Sequence, residues 1–281
     1  MLDPVFIDGG RGRIHCTLFR PATTPRAGLL WLPPFAEEMN RSRRMMAGLG
    51  HALAARGWLT ALPDLCGTGD SAGDFAAADW SVWRDDVTAT ARRLAAEGVD
   101  EFVIGGVRSG ALLALDVLAT LAQPSRRVLL WQPLPSGRLQ LRQFLRLRVA
   151  AAMGGAARES TADLQARLDA GETVEIAGYD LSPSLAGALA ALELEQLMPP
   201  PGVAVDWLEV GAGEAPEPGV ASMAIAAAWR AAGHDVHLGT VAGDPFWTTQ
   251  EITWVQPLID RTVACLDTAV AVPAFARLGV R

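Results

Sequence analysis

The chain has 281 residues, a formal net charge of −7 and no lysine, and half of its residues are apolar. This acidic balance argues against a general nucleic-acid-binding surface. Three scattered cysteines favour neither a disulfide framework nor a zinc site. The sequence shows no signal peptide and no apolar run of about 18 residues that would span a membrane, so we expect a cytoplasmic protein without a membrane span.

Hydrophobic periodicity predicts strands and helices that alternate along most of the chain. The first element is a hairpin of residues 5–8 and 13–19. Later strands are continuous apolar runs, as expected for strands buried on both faces: 27–33, 58–63, 101–106, 127–132, 203–210 and 235–241. The predicted helices are 40–56 (capped by Asn40 and ended by Gly57), 79–97 (capped by Asp79), 109–122, 219–232 and 251–270.

This alternation predicts an α/β fold, with a mostly parallel twisted sheet and helices on both faces. Residues 137–200 break the alternation, because they read as helices interrupted by glycine and proline. We predict that residues 1–136 and 201–281 form the core and that residues 137–200 form an inserted helical cap. The cap would cover the carboxyl ends of the strands, where open α/β sheets bind ligands.

A glycine-rich turn, Gly105-Gly106-Val107-Arg108-Ser109-Gly110, joins a predicted strand to a predicted helix. It resembles the G-x-S-x-G nucleophile elbow of α/β-hydrolases, with Gly106 and Gly110 at the right spacing. Arg108 stands where the nucleophile belongs, and a guanidinium stays protonated and cannot attack a carbonyl. Ser109 follows, but one residue along a helix turns a side chain by about 100°, so we expect Ser109 to point away from the tip.

Other segments extend the resemblance to the α/β-hydrolase superfamily over nearly the whole chain. Residues 64–71, DLCGTGDS, resemble the D-x-x-G-x-G-x-S loop of that superfamily. More narrowly, four segments are similar to the second of two hydrolase-like families associated with exosortase A systems: PPFAEEMNRSRRM (33–45), WQP (131–133), QFLRLR (143–148) and PFW followed by TQE (245–251). The resemblance implies an α/β-hydrolase fold and an association with bacterial exopolysaccharide and protein-sorting loci, and it names no substrate.

A histidine base is missing from its expected place. In this fold the triad runs Ser, then Asp or Glu, then His, so the base should follow the last strand. Residues 242–247 contain no histidine, and we expect all four histidines to be structural or solvent-exposed: His15, His51, His234 and His237. Glu209 and Glu214 lie near the place of the orienting acid. Without a histidine to orient, we interpret them as ordinary strand-end or loop carboxylates.

The segment after strand 27–33 departs from the usual oxyanion loop. Backbone N–H groups of Phe35 or Ala36 and of Ser109 can still form an oxyanion hole. Glu37 or Glu38 beside it would repel an oxyanion unless neutralised.

Two interpretations of Arg108 stay open. A cation at a helix N-terminus is unfavourable, so a buried arginine there should have a carboxylate partner. The candidates lie at the same predicted sheet edge: Glu37, Glu38, Asp64 and Asp244. Alternatively, Arg108 and the helix N-terminus bind an anionic ligand group such as a carboxylate or phosphate.

Tryptophan, arginine and cysteine residues near this edge are also candidates for the site. We expect the tryptophans in strands to lie in the core: Trp31, Trp58, Trp131 and Trp207. Three others are expected to line a pocket: Trp80, Trp83 and Trp247. Arg41, Arg43 and Arg44 are interpreted as a solvated helix face. Cys66 lies near the predicted site but has no activating histidine, and burial would raise its pKa.

These observations leave two functions. One is an ester or acyl hydrolase with an atypical site, in which Asp244 or Glu37 activates water or Ser109 attacks beside Arg108. The other is a non-catalytic protein that binds a small-molecule ligand. Its candidate ligand-binding residues are Phe35, Ala36, Glu38, Arg108, Phe246 and Trp247. Neither function calls for a metal or cofactor.

Overall fold

A computed structural model of the protein describes residues 1–99, 102–123, 125–151, 159–249 and 251–270. Eight strands form the central sheet: β1 (Leu2–Gly9), β2 (Gly12–Phe19), β3 (Ala27–Leu32), β4 (Trp58–Pro63), β5 (Phe102–Val107), β6 (Arg127–Trp131), β9 (Ala204–Gly211) and β10 (Val236–Ala242). Two short strands, β7 (Val174–Ile176) and β8 (Tyr179–Leu181), pair separately. The helices are α1 (Glu37–Ala54), α2 (Trp80–Ala96), α3 (Ser109–Leu118), α4 (Gly137–Ala151), α5 (Thr161–Asp169), α6 (Pro183–Ala190), α7 (Val220–Ala231) and α8 (Gln256–Val270).

The sheet is mostly parallel, as the sequence predicts. Its strand order is β1-β2-β4-β3-β5-β6-β9-β10. The β1–β2 and β2–β4 pairs are antiparallel, and every other neighbouring pair is parallel. The carboxyl ends of six strands therefore meet at one edge, and the loops that follow β3, β5 and β10 leave the sheet there.

Two hydrophobic cores cover the two faces of this sheet. Leu30 and Leu32 of β3 pack into one core, and Leu29 and Trp31 pack into the other. This division follows the two-residue alternation of a strand. The expected core tryptophans are confirmed, because each is at most 1% exposed: Trp31, Trp58, Trp131 and Trp207.

Helix α1 begins three residues earlier than predicted. Its N-cap is Ala36, in a strained conformation with φ 47° and ψ −119° and without a side-chain cap. The predicted cap Asn40 is wrong: it lies inside the helix and donates a hydrogen bond to the Tyr179 hydroxyl. Glu37 and Glu38 consequently occupy the first helical turn, where acidic side chains are favourable.

Other boundaries move by smaller amounts. Asp79 caps α2 as predicted and accepts a hydrogen bond from the Ser81 N–H. Helix α3 ends at Leu118, four residues before its predicted end, and α8 begins at Gln256, five residues after its predicted start. The predicted strand 101–106 starts on residue 101, which lies outside the described residues.

The stretch between β6 and β9 contains α4, α5 and α6 and also the β7–β8 hairpin, which the sequence does not predict. The hairpin strands have three residues each, too few for a periodic signal. Its turn places Ala177 and Gly178 at positive φ without the usual Asn-Gly signal. Division of the chain into a core and a cap remains a prediction, and residues 152–158 and 271–281 lie outside the described part.

Among the described helices, none combines the length and apolar character needed to cross a membrane.

Candidate functional site

The turn between β5 and α3 is a sharp elbow with Arg108 at its tip. Arg108 has φ 57° and ψ −117°, a strained region for a residue with a side chain. A Cβ on Gly106 would lie 2.3 Å from the Gly110 carbonyl carbon, and one on Gly110 would lie 2.4 Å from the Pro33 carbonyl oxygen. Both glycines are therefore required by close backbone approach, and the turn geometry predicted from the motif is present.

Arg108 is buried and paired with an acid. It is 7% exposed, and its Nε and Nη2 donate to the Glu38 Oε2 and Oε1 at 3.2 and 3.1 Å. Nη2 also donates to Gln143 Oε1 at 2.6 Å. The guanidinium carbon lies 5.2 Å from the Trp247 ring centroid, within the range of a cation–π contact. Of the four acids considered from the sequence, Glu38 is the partner.

A second ion pair lies beside the first. Glu37 Oε1 accepts a hydrogen bond from Arg41, one helical turn further along α1. Arg41 Nη1 also donates to the Thr248 carbonyl at 2.5 Å. Helix α1 is thereby tied to the loop after β10, and the two acids of its first turn are both neutralised.

These groups line a pocket of about 350 Å³. One wall is a face of α4 at helical spacing i, i+3, i+4 and i+7, made by Gln140, Gln143, Phe144 and Leu147. The other lining residues come from the segment around the start of α1, the elbow after β5 and the loop after β10: Phe35, Glu37, Glu38, Arg41, Arg108, Trp247 and Thr248. The volume lies at the small end of the range for ligand pockets.

The α4 wall carries polar groups that the sequence analysis did not select. Gln140 is 2% exposed, and its buried Oε1 has no hydrogen-bond partner among the described residues. Gln143 contacts Arg108 directly. The QFLRLR segment marks this helix, but only its orientation on the sheet shows which of its side chains reach the elbow.

Ser109 does not line this pocket. It is buried and lines a cavity of about 10 Å³ with Ala36, Trp80 and Trp83. That volume is about the space of one water molecule. Phe35 lines both spaces. Ser109 and Arg108, although adjacent in the chain, therefore line different spaces.

Two sequence candidates lie outside both spaces. Asp244 is exposed and lines neither cavity. Phe246 is 1% exposed and packs edge to face against Trp131, with ring centroids 6.1 Å apart. The loop after β10 therefore sends Phe246 into the core and presents Trp247 to the pocket.

Glu209, a candidate for the acid position, is buried near the end of β9. It accepts hydrogen bonds from Trp207 Nε1 at 3.1 Å and from the Gly219 N–H at 2.9 Å. Glu214 is exposed. Both carboxylates are therefore apart from the Arg108 cluster.

The four histidines line neither cavity. His15 Nδ1 lies 3.3 Å from Asp64 Oδ2, and His51 packs edge to face on Phe19. His237 is exposed and lies beside the buried Asp206 and the exposed Asp235, and His234 is half-buried before β10.

The arginine cluster on α1 is less solvated than predicted. Arg41 lines the pocket, Arg43 pairs with Asp64 at 3.0 Å, and Arg44 lies over the Trp254 ring. Arg44 is exposed, and the Arg43 side chain is 41% exposed. Each of the three side chains therefore has a structural contact that periodicity alone does not reveal.

Oxygen and nitrogen ligand atoms also come together at His15, Asp64 and Asp70, within 4.8 Å of one another. Asp64 is buried and accepts hydrogen bonds from Arg43 and from the Asp70 N–H. Because Arg43 already neutralises Asp64, this cluster is accounted for as an ion-pair network in the loop after β4.

Cys66 is buried in the same loop, close to Asp86. Burial, reinforced by the negative charge of Asp86, raises the pKa of the Cys66 thiol. Burial likewise raises the pKa of the Asp86 carboxyl, which accepts the backbone N–H groups of Cys66 and Gly10. A thiol with a raised pKa is a poor nucleophile, in agreement with the sequence expectation.

The elbow, the mostly parallel sheet and the loops at its carboxyl edge define an α/β-hydrolase fold. Solved structures agree. Ferulic acid-bound Est1E from Butyrivibrio proteoclasticus has a TM-score of 0.65 at 14% identity, over 95% of this chain and 99% of that chain. A putative hydrolase from Agrobacterium vitis has a TM-score of 0.60 at 19% identity, over 96% of this chain and 99% of that chain. A thermostable carboxyl esterase from Bacillus coagulans, in complex with glycerol, has a TM-score of 0.62 at 12% identity, over 96% of this chain and 99% of that chain.

At these identities the likeness concerns the fold. No family model matches the chain, and no curated protein matches it.

Proposed function

We propose that this protein uses the α/β-hydrolase fold to bind a small-molecule ligand beside Arg108, without a Ser-His-acid triad. The observation that carries the proposal is the buried Arg108 at the elbow tip, facing a pocket of about 350 Å³. An arginine there supplies fixed charge and hydrogen-bond donors but no nucleophile.

The surroundings of the elbow support this proposal. Trp247 comes from the loop after the last strand, from which this fold supplies its histidine base. All four histidines lie outside both cavities. The acids nearest the elbow, Glu37 and Glu38, are held by arginines.

The proposed biological setting follows from the sequence resemblance. We place the protein in the cytoplasm of a bacterium, in an exosortase-associated or exopolysaccharide system. The ferulic acid complex of Est1E shows that this fold accommodates a small aromatic acid in one of its members.

A hydrolase with an atypical site is the second candidate. The strained elbow keeps its geometry, and Ser109 lies at the start of α3 beside Ala36, where backbone N–H groups of two helix N-termini approach one cavity. Asp244 is exposed, and Glu37 is held by Arg41. Ser109 therefore carries this alternative more directly than a carboxylate-activated water does.

Ester turnover separates the two functions. Wild type, Ser109→Ala and Asp244→Ala are assayed with p-nitrophenyl acetate and butyrate, and wild type is treated with a fluorophosphonate probe. We expect no covalent labelling and the same background hydrolysis for all three proteins. Turnover that disappears in Ser109→Ala, or labelling of Ser109, would overturn the ligand-binding proposal.

A further inference from the structure

The hydrogen bonds around Arg108 use the acceptors of Glu38 and Gln143 and leave donors free. Both carboxylate oxygens of Glu38 accept from Arg108. Gln143 Oε1 also accepts from Arg108, and this contact fixes the amide orientation because a guanidinium can only donate. Gln143 Nε2 is thereby left as a donor without a partner among the described residues.

Arg108 keeps one donor group of its own. Its Nη1 has no hydrogen-bond partner among the described residues, although Nε and Nη2 are both used. The side chain is 8% exposed and lines the pocket, so Nη1 is held in place by Glu38, Gln143 and Trp247. Gln140, one turn before Gln143 on α4, adds a buried amide, and neither its Nε2 nor its Oε1 has a hydrogen-bond partner among the described residues.

Neither Arg108 Nη1 nor Gln143 Nε2 is among the fully buried atoms that lack a hydrogen-bond partner, so both donors are open to the pocket. A ligand that supplies acceptors to these two donors would form charge-assisted hydrogen bonds with them. The pocket therefore selects for an acceptor-rich head group on its Arg108 side.

We propose that the ligand is a small carboxylic acid, whose carboxylate accepts hydrogen bonds from Arg108 Nη1 and Gln143 Nε2. This inference rests on the proposed ligand-binding function and names its chemical class. The apolar body of the acid lies against Phe35, Phe144 and Leu147, which form the non-polar part of the pocket.

Charge favours a singly charged head group over a phosphate. Four ionised side chains line the pocket, and Glu37 and Glu38 balance Arg41 and Arg108. A monoanion gains the free guanidinium nitrogen and one amide donor. A dianion would meet twice the attraction of the two arginines and twice the repulsion of the two glutamates, so its second charge would gain nothing from the walls to offset its removal from water.

Calorimetric titration of the full chain tests this class. The probes are benzoate and hexanoate, the matched neutral benzamide and hexanamide, and phenyl phosphate. We expect the carboxylates to bind at least about tenfold more tightly than the amides, a difference of about 1.4 kcal/mol, and more tightly than phenyl phosphate.

Three variants locate the site. In Arg108→Gln/Glu38→Gln the pair is removed together, so no unpaired buried charge remains, and the preference for carboxylates should disappear. Leu147→Trp fills the pocket from its rim without touching the ion pairs and should abolish binding of every probe. Arg44→Gln, at an exposed position of α1 that does not line the pocket, should bind as wild type does.

The outcomes distinguish the two proposals. Equal affinity for acids and amides, both lost in Leu147→Trp, would overturn the carboxylate class and leave ligand binding intact, as would tighter binding of phenyl phosphate. Carboxylate binding that survives Leu147→Trp, or no binding of any carboxylate to wild type, would also overturn the carboxylate proposal. Ester turnover that depends on Ser109 would instead overturn the proposed function itself.

Discussion

The guanidinium of Arg108 lies over the indole ring of Trp247, with 5.2 Å between Cζ and the ring centroid. One residue is the tip of the elbow after β5, and the other belongs to the loop after β10. In serine hydrolases of this fold, these two places supply the nucleophile and its histidine base. Here the same two segments meet through a cation–π contact. This contact holds the Arg108 guanidinium in place and provides no group for proton transfer.

Removing only one partner of the Arg108–Glu38 pair should lower the free energy of unfolding more than removing both partners does. Arg108→Met alone leaves the partly buried Glu38 without a partner, so we expect a loss of about 3 kcal/mol, the lower end for buried pairs, in the free energy of unfolding. Arg108→Met combined with Glu38→Gln removes both charges and should recover most of that loss. Urea unfolding of the wild type, both single variants and the double variant measures the coupling. Additive effects of the two single substitutions would contradict the pairing.

The elbow glycines should tolerate no side chain. In Gly110→Ala the new Cβ would lie 2.4 Å from the Pro33 carbonyl oxygen, so β3 and the start of α3 must separate. We expect a loss of more than about 2 kcal/mol, measured as the free energy of unfolding in urea.

Gly187→Ala is the matched control for that substitution. Gly187 lies inside α6, and a Cβ there meets no atom within 4 Å. This change should stabilise the protein by about 0.5–1 kcal/mol through helix propensity. Similar losses in both variants would show that the elbow contact is not what makes Gly110 necessary.

Glu97 gives a pH dependence with a definite sign. Arg20 makes a two-pronged contact with it at 2.6 and 2.8 Å, and with Arg93 it lowers the pKa of Glu97 from 4.5 to about 2. A depressed pKa stabilises the fold above pH 4.5, and this stabilisation is lost as the pH falls from 4.5 towards 2. Glu97→Gln should therefore cost about 1–2 kcal/mol at pH 7, after allowance for partial exposure.

Urea titrations of wild type and Glu97→Gln at several pH values measure that loss, which should shrink steadily below pH 4.5. Glu172→Gln serves as the control, because Glu172 pairs with Arg167 at an exposed position. Its effect should stay below about 1 kcal/mol. A Glu97→Gln penalty that stayed constant down to pH 2 would be inconsistent with the lowered pKa.

Cys66 should react slowly in the native protein. Its thiol is 3% exposed, and burial raises its pKa. Iodoacetamide at neutral pH should alkylate Cys66 rapidly in urea and only slowly in buffer, as followed by peptide mass spectrometry. Rapid native alkylation would instead indicate an accessible, activated thiol in the loop after β4.

Much of the sheet was predictable because its signals are local. The runs 27–33 and 58–63 are continuously apolar, and β3 and β4 occupy nearly the same residues. Asp79 has the side chain that a helix cap requires, and it caps α2. Asn40 has the same kind of side chain, but α1 begins earlier because the backbone turns at Ala36. The sequence does not predict that turn, because Ala36 has no side chain that could cap a helix.

The site was predictable in part. The spacing of Gly106 and Gly110 locates the elbow, and the charge of Arg108 implies an acidic partner. The choice of Glu38 among four acids depends on where α1 begins. The contributions of Gln140 and Gln143 depend on how α4 lies across the strand ends, which is a long-range property of the fold.

The balanced charges of the pocket walls have a kinetic consequence. Two arginines and two glutamates cancel at distances beyond the pocket mouth, while the chain as a whole carries −7. The pocket therefore exerts no long-range electrostatic attraction on an incoming anion, and the anion is attracted only when it contacts the pocket wall. Association should proceed in the ordinary range of about 10⁵–10⁷ M⁻¹s⁻¹ and speed up slightly as added salt screens the overall negative charge.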